Sequence, residues 1–201
     1  MERVNVFIDG NNFYFSLKRN NRSTRVDYHQ LSLALTGPDR KLVQTFYYNV
    51  AYDKNLFPDK AKAQLEFLDT LEQTPYLNLR LGRLVQSQNG GFQEKGVSSL
   101  LAADLIYQAA RQAFDIAVVI TEDKDYASTL EKVKEFGKQV ELACFQDGQN
   151  RDLTRASDLF VPIEMILEKY SSRIFPAAPE NQRGNPVERI DKIQRAFRKR
   201  T

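Results

Sequence analysis

The chain has 201 residues, 42% of them hydrophobic and 27% charged, with a formal net charge of +3. That length suits one domain able to bury a core, no apolar run nears the roughly 20 residues of a membrane helix, and residues 1–9 do not read as a signal peptide, so a cytoplasmic protein is expected. One cysteine, Cys144, excludes an intrachain disulfide or a cysteine-based zinc cluster, and one histidine, His29, excludes a two-histidine metal site.

In chain order, residues 4–8 (Val-Asn-Val-Phe-Ile) form a short buried strand that ends at Asp9. Gly10-Asn11-Asn12 turns the chain into a helix through about Arg19, and residues 28–35 form a second short helix before Gly37-Pro38. Residues 41–52, rich in β-branched and aromatic side chains, read as a strand. Ala61, Leu65, Leu68 and Leu71 recur at helical spacing over 58–74, with Pro58 suited to a first turn. Leu77, Leu79 and Leu81 alternate with polar residues in a half-exposed strand, and 86–95, with Asn89-Gly90-Gly91, reads as a tight turn or loop.

A helix over 97–113 precedes the most apolar strand, 115–121. A further helix, 124–136, is stopped by Gly137, and strand 139–145 carries Cys144, which reads as a small core hydrophobe. Two short helices, 152–157 and 163–170, flank Leu159-Phe160-Val161. His29 lies in a polar stretch and reads as a surface residue.

This alternation predicts a three-layer α/β/α sandwich on a mainly parallel sheet over residues 1–171. Residues 172–187 hold Pro176, Pro179 and Pro186 and read as a linker, and 188–201 as a basic tail. The tail contributes +4, leaving −1 for residues 1–187. Ile190, Ile193 and Phe197 put an apolar stripe along it, suited to gripping a nucleic acid or packing on another copy of the chain.

Three acids sit where parallel strands end: Asp9 after the first strand, Asp123 and Asp125 after strand 115–121. Asp104 falls on a helical face with Val97, Leu100, Leu101 and Tyr107, where a carboxylate is costly unless paired or liganded. Four such acids suit one or two Mg²⁺ or Mn²⁺ ions and the metal-assisted hydrolysis of a phosphodiester, chemistry that needs no histidine. Each also has a plain structural role: Asp9 can open a turn, Asp123 can cap a helix, Asp125 can favour its dipole, and Asp104 can reach water at the edge of its stripe. The turn after Asp9 matches neither G-x-G-x-x-G nor a G-K-[ST] ending, which argues against a phosphate-cradling loop. An aspartyl-phosphate enzyme would carry a second acid two residues after Asp9, where this chain has Asn11.

The segments Phe7-Ile8-Asp9-Gly10-Asn11-Asn12, Lys95-Gly96-Val97 with Ala103-Asp104-Leu105, and Val119-Ile120-Thr121-Glu122-Asp123-Lys124-Asp125-Tyr126 resemble the successive motifs of the NYN domain, of the PIN-like nuclease superfamily that includes the LabA-like bacterial proteins. Phe136-Gly137-Lys138-Gln139-Val140-Glu141 and Leu153 through Ser157-Asp158-Leu159-Phe160 resemble it in the same order, so the likeness spans about residues 4–170. It implies a PIN-like fold and Mg²⁺- or Mn²⁺-dependent cleavage of RNA, single-stranded by preference. Asp9, Asp104, Asp123 and Asp125 would be the metal-binding acids, and Asn12 and Thr121 would position water or phosphate. Lys95 and the tail cations Arg195, Arg198 and Lys199 are candidates for phosphate contacts, whereas Arg80 and Arg83 read as ordinary solvated positions. The chain departs from the family pattern at Ser98, where an acid is usual, and at Thr121, Glu122 and Tyr126. An inactive module that binds RNA or a protein partner is the alternative.

Overall fold

A computed structural model describes residues 1–86 and 91–176. The linker and tail, with Arg195, Arg198 and Lys199, therefore lie outside the described residues apart from the first few linker positions.

Among the described residues seven strands form one sheet in the order β4-β3-β2-β1-β5-β6-β7. They are β1 Arg3–Asp9, β2 Lys41–Ala51, β3 Leu77–Gln86, β4 Phe92–Lys95, β5 Ile116–Ile120, β6 Gln139–Cys144 and β7 Leu159–Pro162. All pairings are parallel except β3 with β4. The predicted α/β sandwich with a mainly parallel sheet is thus the observed fold. β1 and β5 lie at its centre as neighbours, Val4 opposite Ile116 through Ile8 opposite Ile120. The apolar run of β5 and the nearly apolar run of β1, broken only by the buried Asn5, follow from burial on both faces.

One face packs Phe7, Phe46, Tyr48 and Val119 against helix α4 (Val97–Ala110) and α5 (Ala127–Lys134). The other packs Val6, Ile8, Tyr47 and Val118 against α1 (Gly10–Arg19), α2 (Tyr28–Thr36) and α7 (Ile163–Lys169). Cys144 is buried in the first layer, where burial pushes its thiol up to about 12, consistent with an inert core residue.

Several sequence expectations are corrected. Residues 92–95 pair with β3 as strand β4; the segment is four residues long and exposed throughout, so it carries no period for a sequence reading to detect. In α3 (Pro58–Glu72) Leu71 is buried but Leu65 is exposed, and Gln64 takes over an anchoring role by accepting from Tyr52 N and donating to Val50 O. Helix α4 buries Val97, Leu101, Leu105, Gln108 and Ala109, while Tyr107 is exposed, so the stripe runs one position off the expected face. His29 is only partly at the surface: it is half-buried, with its ring stacked on the exposed Tyr76 and its Nδ1 buried.

The packed body runs past residue 171: α8 (Ser171–Ile174) buries Ile174 fully, and the Ile174 carbonyl accepts from Asp27 N. Among the described residues no helix is long and apolar enough to cross a membrane.

Candidate active-site cleft

The chain leaves β1 outward to β2 and β3, then returns to β5 on the other side of β1. That reversal opens a crevice at the strand C-termini between β1 and β5, the position where open α/β sheets bind ligands. A cleft of about 480 Å³ lies there. Its walls include Asp9, Asn12, Phe15 and Arg19 from the β1–α1 segment, Glu94, Lys95 and Ser98 from β4 and the start of α4, and Glu122 and Asp123 from the end of β5.

Asp9 ends β1 and caps α1, its Oδ1 accepting from Asn12 N at 3.2 Å. Gly10 follows because nothing larger fits: a Cβ there would stand 2.3 Å from the Tyr47 ring. Asn12 ties the two strand ends together, its Oδ1 accepting from Glu122 N at 3.0 Å. Thr121 is buried, and its hydroxyl accepts from Asp123 N at 3.1 Å. Asp123 caps the 3-10 turn Lys124–Tyr126, its Oδ1 accepting from Asp125 N at 3.0 Å. The capping roles open to Asp9 and Asp123 are therefore realised. Both use Oδ1, so Oδ2 is the oxygen left to another ligand.

Asp9 is only 7% exposed. Burial raises its pKa to about 6, and the nearby charges of Asp123 and Glu94 push the same way, against the lowering hydrogen bond from Asn12. Burial also raises Glu94. The Tyr126 hydroxyl is buried and has no hydrogen-bond partner among the described residues; Asp9 and Ser98 lie near enough to influence it, but neither is in bonding geometry. A carboxyl raised chiefly by burial, with the charges of Asp123 and Glu94 adding to the shift, is a local excess of oxygen ligands that a cation would relieve.

Glu122, one of the departures from the family pattern, does not add to that excess. Arg19 Nη2 holds both its oxygens at 2.8 Å and also reaches Asp147. Gly148 lies so close that a Cβ there would meet the Glu122 carboxylate at about 2.1 Å.

The sequence-predicted residues therefore divide. Asp9, Asn12, Asp123 and Lys95 line one cleft, with Thr121 buried behind it. Asp104 does not line it: its Oδ2 accepts from Arg80 Nε and from the Tyr48 hydroxyl, both at 3.0 Å. The reading of Arg80 as merely solvated is overturned by this pair, whereas Arg83 is exposed. Asp125 sits exposed on the 3-10 turn. Among the described residues no three His, Cys, Asp or Glu side chains are grouped as a ready-made metal cage. The donor set at the cleft fits a hard cation that keeps much of its water, the usual habit of Mg²⁺, rather than one enclosed by protein.

Glu94, Arg19 and Phe15 are cleft residues that the sequence reading missed. Glu94 rides on the undetected strand β4, where its carboxylate accepts from Asn11 Nδ2 at 2.5 Å. Arg19 and Phe15 share the α1 side of the cleft with Asn12, at i+7 and i+3, and that spacing was the available signal.

A solved structure of a protein of unknown function from Vibrio parahaemolyticus is similar in fold, with a TM-score of 0.65 at 20% identity, covering 81% of this chain and 93% of that one. No curated protein matches. The NYN domain matches residues 3–164, most of the described body. With the motifs, the parallel sheet and the acidic crevice at its reversal point in agreement, the chain belongs to the NYN domain family, whose fold is that of the PIN-like nucleases.

Proposed function

We propose that the cleft hydrolyses phosphodiester bonds of single-stranded RNA with Mg²⁺ or Mn²⁺ held by Asp9 and Asp123. The observation that carries this reading is the meeting of those two carboxylates at the β1–β5 crevice, with Asp9 buried and raised. A divalent cation there would polarise a phosphoryl oxygen and ease deprotonation of a water.

The chain's own residues supply the rest. Asn12 and Thr121 fix the β5 loop that carries Asp123 into the wall of the cleft that Asp9 also lines. Lys95 offers a cation to the RNA backbone, and Phe15, 57% exposed on the rim, offers a ring to a base. Asp104 acts at one remove, as a positioning residue that holds Arg80. The test is cleavage of an end-labelled single-stranded RNA: cutting that needs Mn²⁺, stops with EDTA and is lost in Asp123→Asn supports the reading.

A second reading, RNA capture without cleavage, draws on one observation. Ser98 lines the cleft where the family pattern usually has an acid, and no preassembled cage of three acids stands among the described residues. Equal RNA affinity in wild type and Asp9→Asn, with no product from either, would favour it.

A further inference from the structure

Three aromatic rings pack together outside both hydrophobic layers of the fold. Phe57 meets Phe92 edge to face at 4.6 Å between centroids and Tyr52 at 5.9 Å. None of the three belongs to either core cluster, and Phe92 is 40% exposed. Lys60 Nζ stands 5.5 Å from the Tyr52 ring centre and 5.3 Å from that of Phe57. Lys54 and Lys62 belong to the same stretch, as do Asp53 and Asp59, and Asp53 is turned onto the backbone N–H groups of Asn55 and Leu56.

The cluster lies beside the cleft. Tyr52 directly follows β2, whose C-terminal end lies on the crevice side of the sheet, and Phe92 begins β4. Alternation along β4 puts Phe92 on the same face as Glu94, which lines the cleft about 7 Å further along the strand. Exposed aromatic rings beside lysine ammonium groups are the combination that holds single-stranded nucleic acid, with bases stacked on rings and phosphates met by cations.

We propose that Phe92, supported by Phe57 and Tyr52 and flanked by Lys60, is a base-stacking subsite for single-stranded RNA that feeds the neighbouring phosphate into the Asp9–Asp123 cleft. The subsite rests on the reading of the cleft as an RNA site, and it adds where the strand is gripped outside the chemistry. It recognises a base by its face, so it tolerates sequence but requires an unpaired nucleotide.

The test is fluorescence anisotropy of a labelled single-stranded RNA of about 12 nucleotides with the full chain in EDTA, which reads binding apart from cleavage. Phe92→Ala is compared with Phe92→Leu, which keeps apolar packing against Phe57 but lacks a ring, and circular dichroism verifies that both are folded. Both should bind about five- to a hundredfold more weakly than wild type. Lys60→Gln should flatten the slope of log affinity against log salt by about 0.7. Wild type that binds and cuts RNA while both Phe92 variants bind it equally well overturns the subsite and leaves the proposed function standing. Wild type that neither binds nor cuts RNA removes the proposed function and the subsite with it. Unchanged RNA affinity with a changed sedimentation coefficient in the Phe92 variants overturns the subsite in favour of a contact between copies.

Discussion

Arg80 and Asp104 form an ion pair at 3.0 Å between β3 and α4, and the Tyr48 hydroxyl donates to the same Asp104 oxygen. Tyr48 stands opposite Asp9 on one side and Arg80 on the other, so the pair continues a row of residues that begins at the cleft. Arg80 also lies over the Phe46 ring at 5.6 Å. The side chains are 38% and 20% exposed, so solvent screening limits the stabilisation to about 1 kcal/mol. Asp104→Asn and Arg80→Gln should each cost about that much in urea unfolding, and the double variant should cost little more than either alone. A double variant equal to the sum of the singles would show that the two side chains are not coupled.

Asp9 makes the metal-free protein sensitive to pH. Its folded value of about 6 lies above the usual carboxylate range, so the folded protein holds that proton more tightly than the unfolded chain. Stability contributed at this site therefore falls as pH rises from about 4 to about 6, and the full penalty persists above 6. Asn keeps a good helix cap without the charge. In EDTA at pH 7.5, Asp9→Asn should be more stable than wild type by on the order of 2 to 3 kcal/mol, and the gap should close near pH 4. A gap that is the same at both pH values would contradict the assignment.

A cation that relieves this penalty should bind the folded chain selectively. At about 100 times its dissociation constant, Mn²⁺ adds about 2.7 kcal/mol, or about 5 to 10 °C in Tm for a chain of this size. Differential scanning fluorimetry above pH 7 should show the shift in wild type and lose it in Asp9→Asn and Asp123→Asn. An undiminished shift in both variants would place the metal elsewhere.

Gly10 is a packing requirement of the site. Its hydrogen faces the ring of Tyr47, which is 1% exposed and packed edge to face on Tyr28, so the ring has little room to retreat. Gly10→Ala should lower stability by about 1 to 3 kcal/mol in a urea titration. A variant as stable as wild type would show that the ring moves freely.

The sheet was legible where burial wrote itself into composition. Residues 116–120 are a continuous apolar run, and residues 4–8 one broken only by the buried Asn5, because helices cover them on both sides, and the acids that follow them mark the crevice. Strand β4 was not legible, because Phe92-Gln93-Glu94-Lys95 is exposed at the sheet edge and held by pairing with β3 alone. With it went Glu94 and the subsite ring Phe92. Helical spacing put Asp104 near the right face of α4, but its partner Arg80 comes from a strand 24 residues earlier, brought there by the register of β2 with β3. Local spacing does not carry that register, so it cannot show that the hydrogen bonds of Asp104 run to Arg80 and Tyr48.

The most direct measurement is single-turnover cleavage of an end-labelled single-stranded RNA with Mn²⁺, comparing wild type, Asp9→Asn and Asp104→Asn. Cutting by wild type, loss of at least about a hundredfold in Asp9→Asn and retention of measurable cutting in Asp104→Asn is the predicted result, given the rate penalties attached to lost electrostatic groups. No cutting by folded, Mn²⁺-stabilised wild type, or equal cutting by wild type and Asp9→Asn, would contradict the assignment of the β1–β5 crevice as a nuclease centre.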